Sequence, residues 1–307
     1  MNETLTYIDR PTVFVGMGRS GTTLIFEAFT THGQVGWLSN YCELSPKLLV
    51  LNLLCRLLDN DYWSLCGCKV QYGKGLPGNR FLPQPDEAYS FWNYWGTPRF
   101  GPSYLLDEQA SPEQARRLRW AVRRVLRWQG RQRFSAKMTG PGRLTWLNSV
   151  FPGARFVHIV RDGRSVADSL LRVDFWRERG LDRPFWDEPL PQDMQQAWHD
   201  SNWDPAVLAA AQWVQVLRSI RQEARTLSPD TDFIELRYED FVAHPESVLG
   251  QLYRYADLPL YTGLMERALG KEPIMDFSSK YQANLGQETV DRITEVMQPE
   301  LEHYGYL

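Results

Sequence analysis

The chain has 307 residues, 34 Lys and Arg against 37 Asp and Glu, and a net charge of −3. That length buries a full core and suits one large α/β domain or one domain with insertions, and the charge argues against a dedicated nucleic-acid binder. Cys42, Cys55, Cys66 and Cys68 lack zinc-ligand spacing, and there is neither a signal-like leader nor a run approaching the roughly 18 apolar residues of a spanning helix, so the expectation is a soluble, cytoplasmic protein with reduced thiols.

Residues 1–11 read as a lead-in. Thr12-Val13-Phe14-Val15 is β-prone and runs into Gly16-Met17-Gly18-Arg19-Ser20-Gly21-Thr22-Thr23, after which Leu24, Ala28 and Phe29 mark one side of a helix from about Gly21 to Thr31. Strand, glycine loop and helix in that order make an anion cradle. Glycines let backbone approach a ligand, and the helix's first N–H groups face it with the positive end of the dipole behind them. Gly18, Ser20, Gly21, Thr22 and Thr23 line this turn, and Arg19 adds a fixed charge with fork geometry. Gly16 and Gly21 keep the Walker A spacing, but Thr22 stands where its lysine belongs. A nucleoside-triphosphate reading therefore weakens, and the expected ligand carries phosphate or sulfate.

Gly36–Tyr41 reads as a short extended segment, and Ser45-Pro46 as the cap and first residue of a helix to about Leu58. Residues 59–106 alternate Gly, Pro and aromatics without a period and read as an irregular insertion. Ser111-Pro112-Glu113 opens a helix that Gly130 ends, a strand follows at Phe134–Lys137, and Leu144 and Leu147 mark another helix. Arg155–Val160 is a buried strand with Arg161 at its C-terminal end, continued by a helix through Val166 and Leu171. Residues 174–204 read as a second irregular, Trp-rich insertion. Asp204-Pro205 caps a helix to about Thr226, Phe233–Leu236 is a strand, and helices from Pro245 and near Gly286 complete the chain. Strands alternating with helices predict an α/β fold, a central parallel sheet covered by helices on both faces.

Arg161 and Ser169 form a second constellation. Ligands of open α/β sheets sit beyond the C-terminal strand ends, so Arg161 points to the same edge as the first loop, with Ser169 in the following helix. An arginine and a hydroxyl held this way grip a second phosphate.

Gly18-Arg19-Ser20-Gly21-Thr22-Thr23-Leu24 resembles the 5′-phosphosulfate loop of sulfotransferases that use 3′-phosphoadenylyl sulfate (PAPS), in the arginine form of the tyrosylprotein and bacterial small-molecule enzymes. The stretch from Val157 to Leu170 resembles their 3′-phosphate motif, with Arg161 and Ser169 at the family's spacing. The two lie in family order about 140 residues apart. The resemblance runs from about residue 12 to the end, leaving both insertions outside its motifs. It implies a single P-loop-like sulfotransferase domain over residues 1–307, with the insertions (about 59–106 and 174–204) forming the acceptor side. It also implies transfer from PAPS to the hydroxyl or amine of a small molecule, giving PAP, with no metal required. Phe134-Ser135-Ala136-Lys137 matches the stretch whose lysine stabilises the transferring group, so Lys137 takes that role beside Arg19. Arg237-Tyr238-Glu239 and Ser278-Ser279-Lys280-Tyr281 are similar to segments that put Tyr238 by the nucleotide and Lys280 by the phosphosulfate, Tyr281 replacing a tryptophan.

The acceptor needs a general base. The tyrosylprotein enzymes' glutamate falls on Asn40, an amide, so Glu43 is the first candidate, Glu87 the second, with His199 remaining; His158, inside a strand, reads as structural. Glu43 equally suits a helix's first turn. Between Arg116 and Arg133, the apolar positions Leu118, Val122, Val125 and Leu126 oppose the arginines, which read as a solvated face or, alternatively, a surface for an anionic acceptor. The aromatics from Phe81 to Tyr104 suit core and acceptor pocket equally. Two rivals stay open: a P-loop nucleotide kinase or other phosphotransferase, and a non-catalytic PAP-binding protein. The expected partners are a small-molecule acceptor, no nucleic acid and no membrane, in a monomer or homodimer.

Overall fold

A computed structural model describes residues 8–58, 82–179, 181–270 and 273–307. Its centre is a five-stranded sheet of β1 (Thr12–Gly16), β2 (Val35–Gly36), β3 (Arg133–Thr139), β4 (Arg155–Val160) and β5 (Phe233–Arg237). The order is β2-β3-β1-β4-β5 and every pairing is parallel. β1 lies in the middle, with Phe14 opposite Lys137 on one side and Val157 on the other. The doubly covered parallel sheet expected from the alternation is therefore present.

Alternation along β1 separates two cores. Val13 and Val15 face one way, into a cluster with α4 (Pro112–Gln129), α5 (Leu144–Val150), α6 (Gly163–Leu170), α9 (Pro205–Ala224) and α14 (Gln287–His303). Phe14 faces the other, into a cluster with α1 (Thr22–Thr30), α10 (Tyr238–Ala243), α11 (Pro245–Tyr255) and α12 (Leu264–Leu269). The start signals read from sequence function as capping. Ser111 and Gln114 form a reciprocal capping box on α4, and Asp204 accepts from Ala206 N ahead of α9.

Three expectations are corrected. The helix from Ser45-Pro46 is a 3₁₀ helix over Leu49–Leu58, preceded by α2 (Asn40–Leu44). Its buried residues Leu49, Asn52, Cys55 and Leu58 recur at every third position, which matches three residues per turn. The described part of the first insertion holds α3 (Tyr89–Trp95), and residues 174–204 hold α7 (Asp174–Arg179) and α8 (Gln192–Asp200). These helices are too short, and too filled with aromatics that contact one another, for a period to emerge. Trp92 stacks on Phe100 with centroids 4.9 Å apart, and Trp176 on Phe185 at 5.2 Å. A last short helix, α13 (Lys280–Asn284), packs on α6. Cys42 and Cys55 are buried free thiols, and burial pushes Cys55 up to about 12; Cys66 and Cys68 lie outside the described residues.

Candidate functional site

The loop after β1 is held open by its neighbours. Gly21 adopts φ 84°, and a Cβ there would overlap the Tyr238 ring, so this turn needs glycine on two counts. Arg19 also takes a left-handed conformation, φ 72°, a strained state for a side chain of its size. That conformation directs its guanidinium to α6, where Nε donates to Ser169 Oγ at 2.9 Å. Arg161, at the end of β4, donates Nη1 to the Arg19 carbonyl at 3.3 Å and lies 4.5 Å above the Tyr238 ring. Gly18 passes beside Thr139 at the end of β3, and Ser20, Thr22 and Thr23 lead into α1.

The electrostatics of this corner favour an anion. Burial, followed by the charges of Arg161 and Arg172, pushes the Arg19 guanidinium below its ordinary range. The Ser20 hydroxyl and Arg161 Nε are buried without a protein partner. Arg172 is paired with Asp168, and the charges of Arg19 and Arg161 together with these two unpaired donors fit a ligand carrying two phosphate-type groups.

Beside it, on the edge of β3, Lys137 donates to Thr23 Oγ1 at 2.8 Å and pairs with Glu87 Oε1 at 3.3 Å. Glu87 Oε2 accepts from Thr139 Oγ1 at 2.9 Å. These groups line a cavity of about 280 Å³ together with Glu43, Asp86 and Tyr89. Asn40 explains how Glu87 arrives there. Its Oδ1 accepts from Gln84 N, its Nδ2 donates to the Leu82 carbonyl and its own N–H donates to the Gln84 carbonyl, fastening residues 82–84 against α2.

Glu43 faces the same cavity with both oxygens engaged. Ser90 N donates to Oε2 at 2.8 Å and Ser90 Oγ to Oε1 at 2.6 Å, so this carboxylate ties down the start of α3. Burial, the largest influence on it, raises the Asp86 carboxyl above its usual range while it accepts from Ala88 N.

The structure thus brings Arg19, Ser169, Arg161 and Tyr238 into one corner, and Thr23, Lys137 and Glu87 into the next. Lys280 is exposed at the start of α13 with its ammonium 4.0 Å from the Phe277 ring centroid. His199 is exposed on α8, 3.1 Å from Asp200, and is not among the residues lining the cavity. His158 is buried against Glu235. Sequence reasoning missed Arg172 and Asp86. Arg172 follows Ser169 by three residues, one turn on, and that spacing was a usable signal; Asp86 offered only its place beside Glu87. Among the described residues no group of three or more His, Cys, Asp or Glu is placed to hold a metal.

A model of the sulfotransferase family matches residues 101–262. The omega-hydroxy-beta-dihydromenaquinone-9 sulfotransferases of Mycobacterium bovis and Mycobacterium tuberculosis are 27% identical to the chain, the match covering 97% of it and 76% of each relative. The crystal structure of a sulfotransferase from Mycobacterium avium superposes with a TM-score of 0.61 at 19% identity, over 96% of this chain and 77% of that one. The sulfotransferase domain of the curacin biosynthetic pathway gives 0.53 at 14% identity, over 95% and 98%. At these identities the two solved structures speak for the fold.

Proposed function

The chain belongs to the sulfotransferase family, and on that premise we propose that it moves a sulfuryl group from PAPS to the hydroxyl of a small-molecule acceptor. The observation that carries this reading is the joined corner of Arg19, Ser169 and Arg161, with its buried unpaired donors. A nucleotide kinase would need the lysine that Thr22 replaces. The acceptor group follows the mycobacterial relatives, whose names specify a hydroxylated molecule. An amine stays a chemical alternative at the same cavity.

Bound at this corner, PAPS supplies a sulfuryl group attached to a phosphate leaving oxygen. Arg161 and Ser169 hold its 3′-phosphate, and Tyr238 lies beside the base. Arg19, the N–H groups of Thr22 and Thr23, and the Lys137 ammonium face the end where negative charge grows. Removing one such donor costs roughly 3 kcal/mol of transition-state stabilisation. Glu87 takes the acceptor's proton; its place against Lys137 puts base and cation on one cavity. Glu43 keeps α3, and with it Tyr89, against the cavity. Residues 1–307 act as one domain, with residues 82–89 on the acceptor side. On this reading Glu87 comes ahead of Glu43 as the base, which argues against a chain that only binds PAP.

The test is a thermal-shift titration with PAP, with AMP and ATP plus magnesium as comparators, followed by PAP release in an acceptor screen. A melting temperature that climbs with PAP concentration in the wild type, and that needs at least about tenfold more PAP to climb equally in Arg161→Ala, supports the reading. A shift with ATP plus magnesium and none with PAP overturns it.

A further inference from the structure

The arginine-rich helix α4 carries six arginines against one glutamate, Glu113, in a chain whose overall charge is −3. A solvated helix face accounts for that charge. It does not account for the surface beside it. The 3₁₀ helix packs along α4 through Asn52 and Cys55, both of which accept from Gln129 Nε2. With every third residue turned inward, intervening side chains are exposed, Val50 by 45%, Leu53 by 43% and Leu54 by 39%, and just ahead of the helix Leu48 is 54% and Leu44 75% exposed.

A row of aromatic and basic groups borders these aliphatic side chains. Lys47 lies 5.2 Å over the Tyr94 ring, Tyr94 touches Trp95, and Trp95 touches Trp120, itself 42% exposed. Arg124 lies over both Trp120 and Trp128, and Arg56 donates to the Trp128 carbonyl at 2.8 Å. The row therefore leaves the segment at Lys47 and returns to it at Arg56. Arg116 and Arg127 are exposed on the same helix as Trp120.

We propose that this face, formed by α4, α3 and residues 44–56, docks on an anionic lipid membrane. Aliphatic side chains enter the acyl boundary, tryptophan and tyrosine settle at headgroup depth, and the arginines meet lipid phosphates. No helix among the described residues is long and apolar enough to cross a membrane, and the proposed contact is a peripheral one. RNA would use the arginines but has no use for a cluster of leucines. A symmetric pair of copies would bring like-charged α4 faces together. The face also borders the acceptor cavity: Glu43, which lines the cavity, adjoins Leu44, and α3 runs about 10 Å from Tyr89 at the cavity to Trp95 on the face.

The experiment is co-sedimentation with phosphatidylcholine vesicles, with and without phosphatidylglycerol, at low and high salt. Two double variants accompany the wild type: Arg116→Glu with Arg127→Glu, and Leu53→Asn with Leu54→Asn. The expected result is partitioning at least about tenfold stronger to the anionic vesicles, largely lost in high salt. The arginine variant should lose roughly tenfold or more on anionic vesicles, and the leucine variant should lose binding to both kinds. Equal binding of wild type to neutral and anionic vesicles, or wild-type binding by both variants, overturns the proposal. So does a dimer in light scattering that the leucine variant disperses, or RNA binding that outcompetes the vesicles. An unchanged PAP-induced melting shift in both variants certifies their folding and keeps this result separate from the fate of the PAPS reading.

Discussion

The Tyr238 ring occupies the space into which a Cβ on Gly21 would project. The phosphate-type loop and the segment after β5 are thus in contact before any ligand arrives. Gly21→Ala meets two penalties, the left-handed φ of 84° and the ring. We expect a loss of about 1–3 kcal/mol in urea unfolding, together with at least tenfold weaker PAP binding by calorimetry. The double variant with Tyr238→Ala relieves the overlap but not the backbone strain. It should regain part of the stability and little of the affinity. Full recovery of both would mean that the loop's shape is not what Tyr238 sustains.

Glu87 and Glu43 face one cavity but differ in what they hold. Glu87→Gln removes the proposed base beside Lys137, so kcat should fall on the order of 100- to 10,000-fold with the PAP dissociation constant nearly unchanged. Glu43→Gln weakens the two Ser90 contacts at the start of α3. Its main effect should be a stability loss of about 1–2 kcal/mol, with kcat reduced far less. The reverse pattern, a collapse of kcat in Glu43→Gln alone, would return the base to the residue that sequence reasoning ranked first.

Those two acids show where sequence reasoning works and where it stops. The loop around Arg19 and the pair Arg161–Ser169 were legible because each is a local pattern at the end of a strand, and a parallel sheet sends both ends to one edge. The pairing of Glu87 with Lys137 was not. It depends on Asn40 fastening residues 82–84 to α2, a contact between segments more than 40 residues apart. The amide at position 40 read as a lost base, whereas in the structure it fastens the stretch that leads to Glu87, the proposed one. The 3₁₀ helix escaped notice for a different reason. A cap-and-proline signal at Ser45-Pro46 says where a helix begins, and the tighter period emerges only in what Leu49, Asn52 and Cys55 bury against α4. Phe91 and Trp92 on the short α3, and Phe100 beyond it, carry no period, and their burial marks them as core, while Gln84, Pro85, Asp86, Glu87 and Tyr89 supply the cavity wall.

The pair His158 and Glu235 joins β4 to β5 at 2.9 Å, and Tyr304 donates to the same Glu235 oxygen at 2.9 Å. Burial raises the Glu235 carboxyl, but the hydrogen bond and charge of His158 and the bond from Tyr304 outweigh it and hold the group below its ordinary value of 4.5. A carboxyl depressed in the folded state stabilises at pH above its unfolded value, and that contribution is lost as pH falls through the folded value. The stability that Glu235 adds over Glu235→Gln should therefore shrink as pH falls below roughly 4.5 in urea titrations. A difference that grows on acidification would mean that the carboxyl is raised in the folded protein.

Arg161 meets the nucleotide reading most directly. It sits over Tyr238, reaches the Arg19 carbonyl and keeps Nε buried without a partner, so it has donor capacity left for a ligand. Arg161→Ala also removes one of the charges that push Arg19 down, which leaves the Arg19 end of the site no weaker as a cation. The two phosphate ends should then separate in binding. PAP should lose on the order of tenfold to a hundredfold, because the proposed charge-assisted contact to the 3′-phosphate disappears. AMP, which lacks that phosphate, should bind wild type and variant within a factor of about three. Arg19→Ala is the counterpart and should weaken both ligands, since it acts at the 5′ end they share. Calorimetry with both nucleotides on the three proteins reads the pattern. Equal losses of PAP and AMP in Arg161→Ala would place this arginine at the 5′ end and reverse the orientation of the donor across the sheet edge.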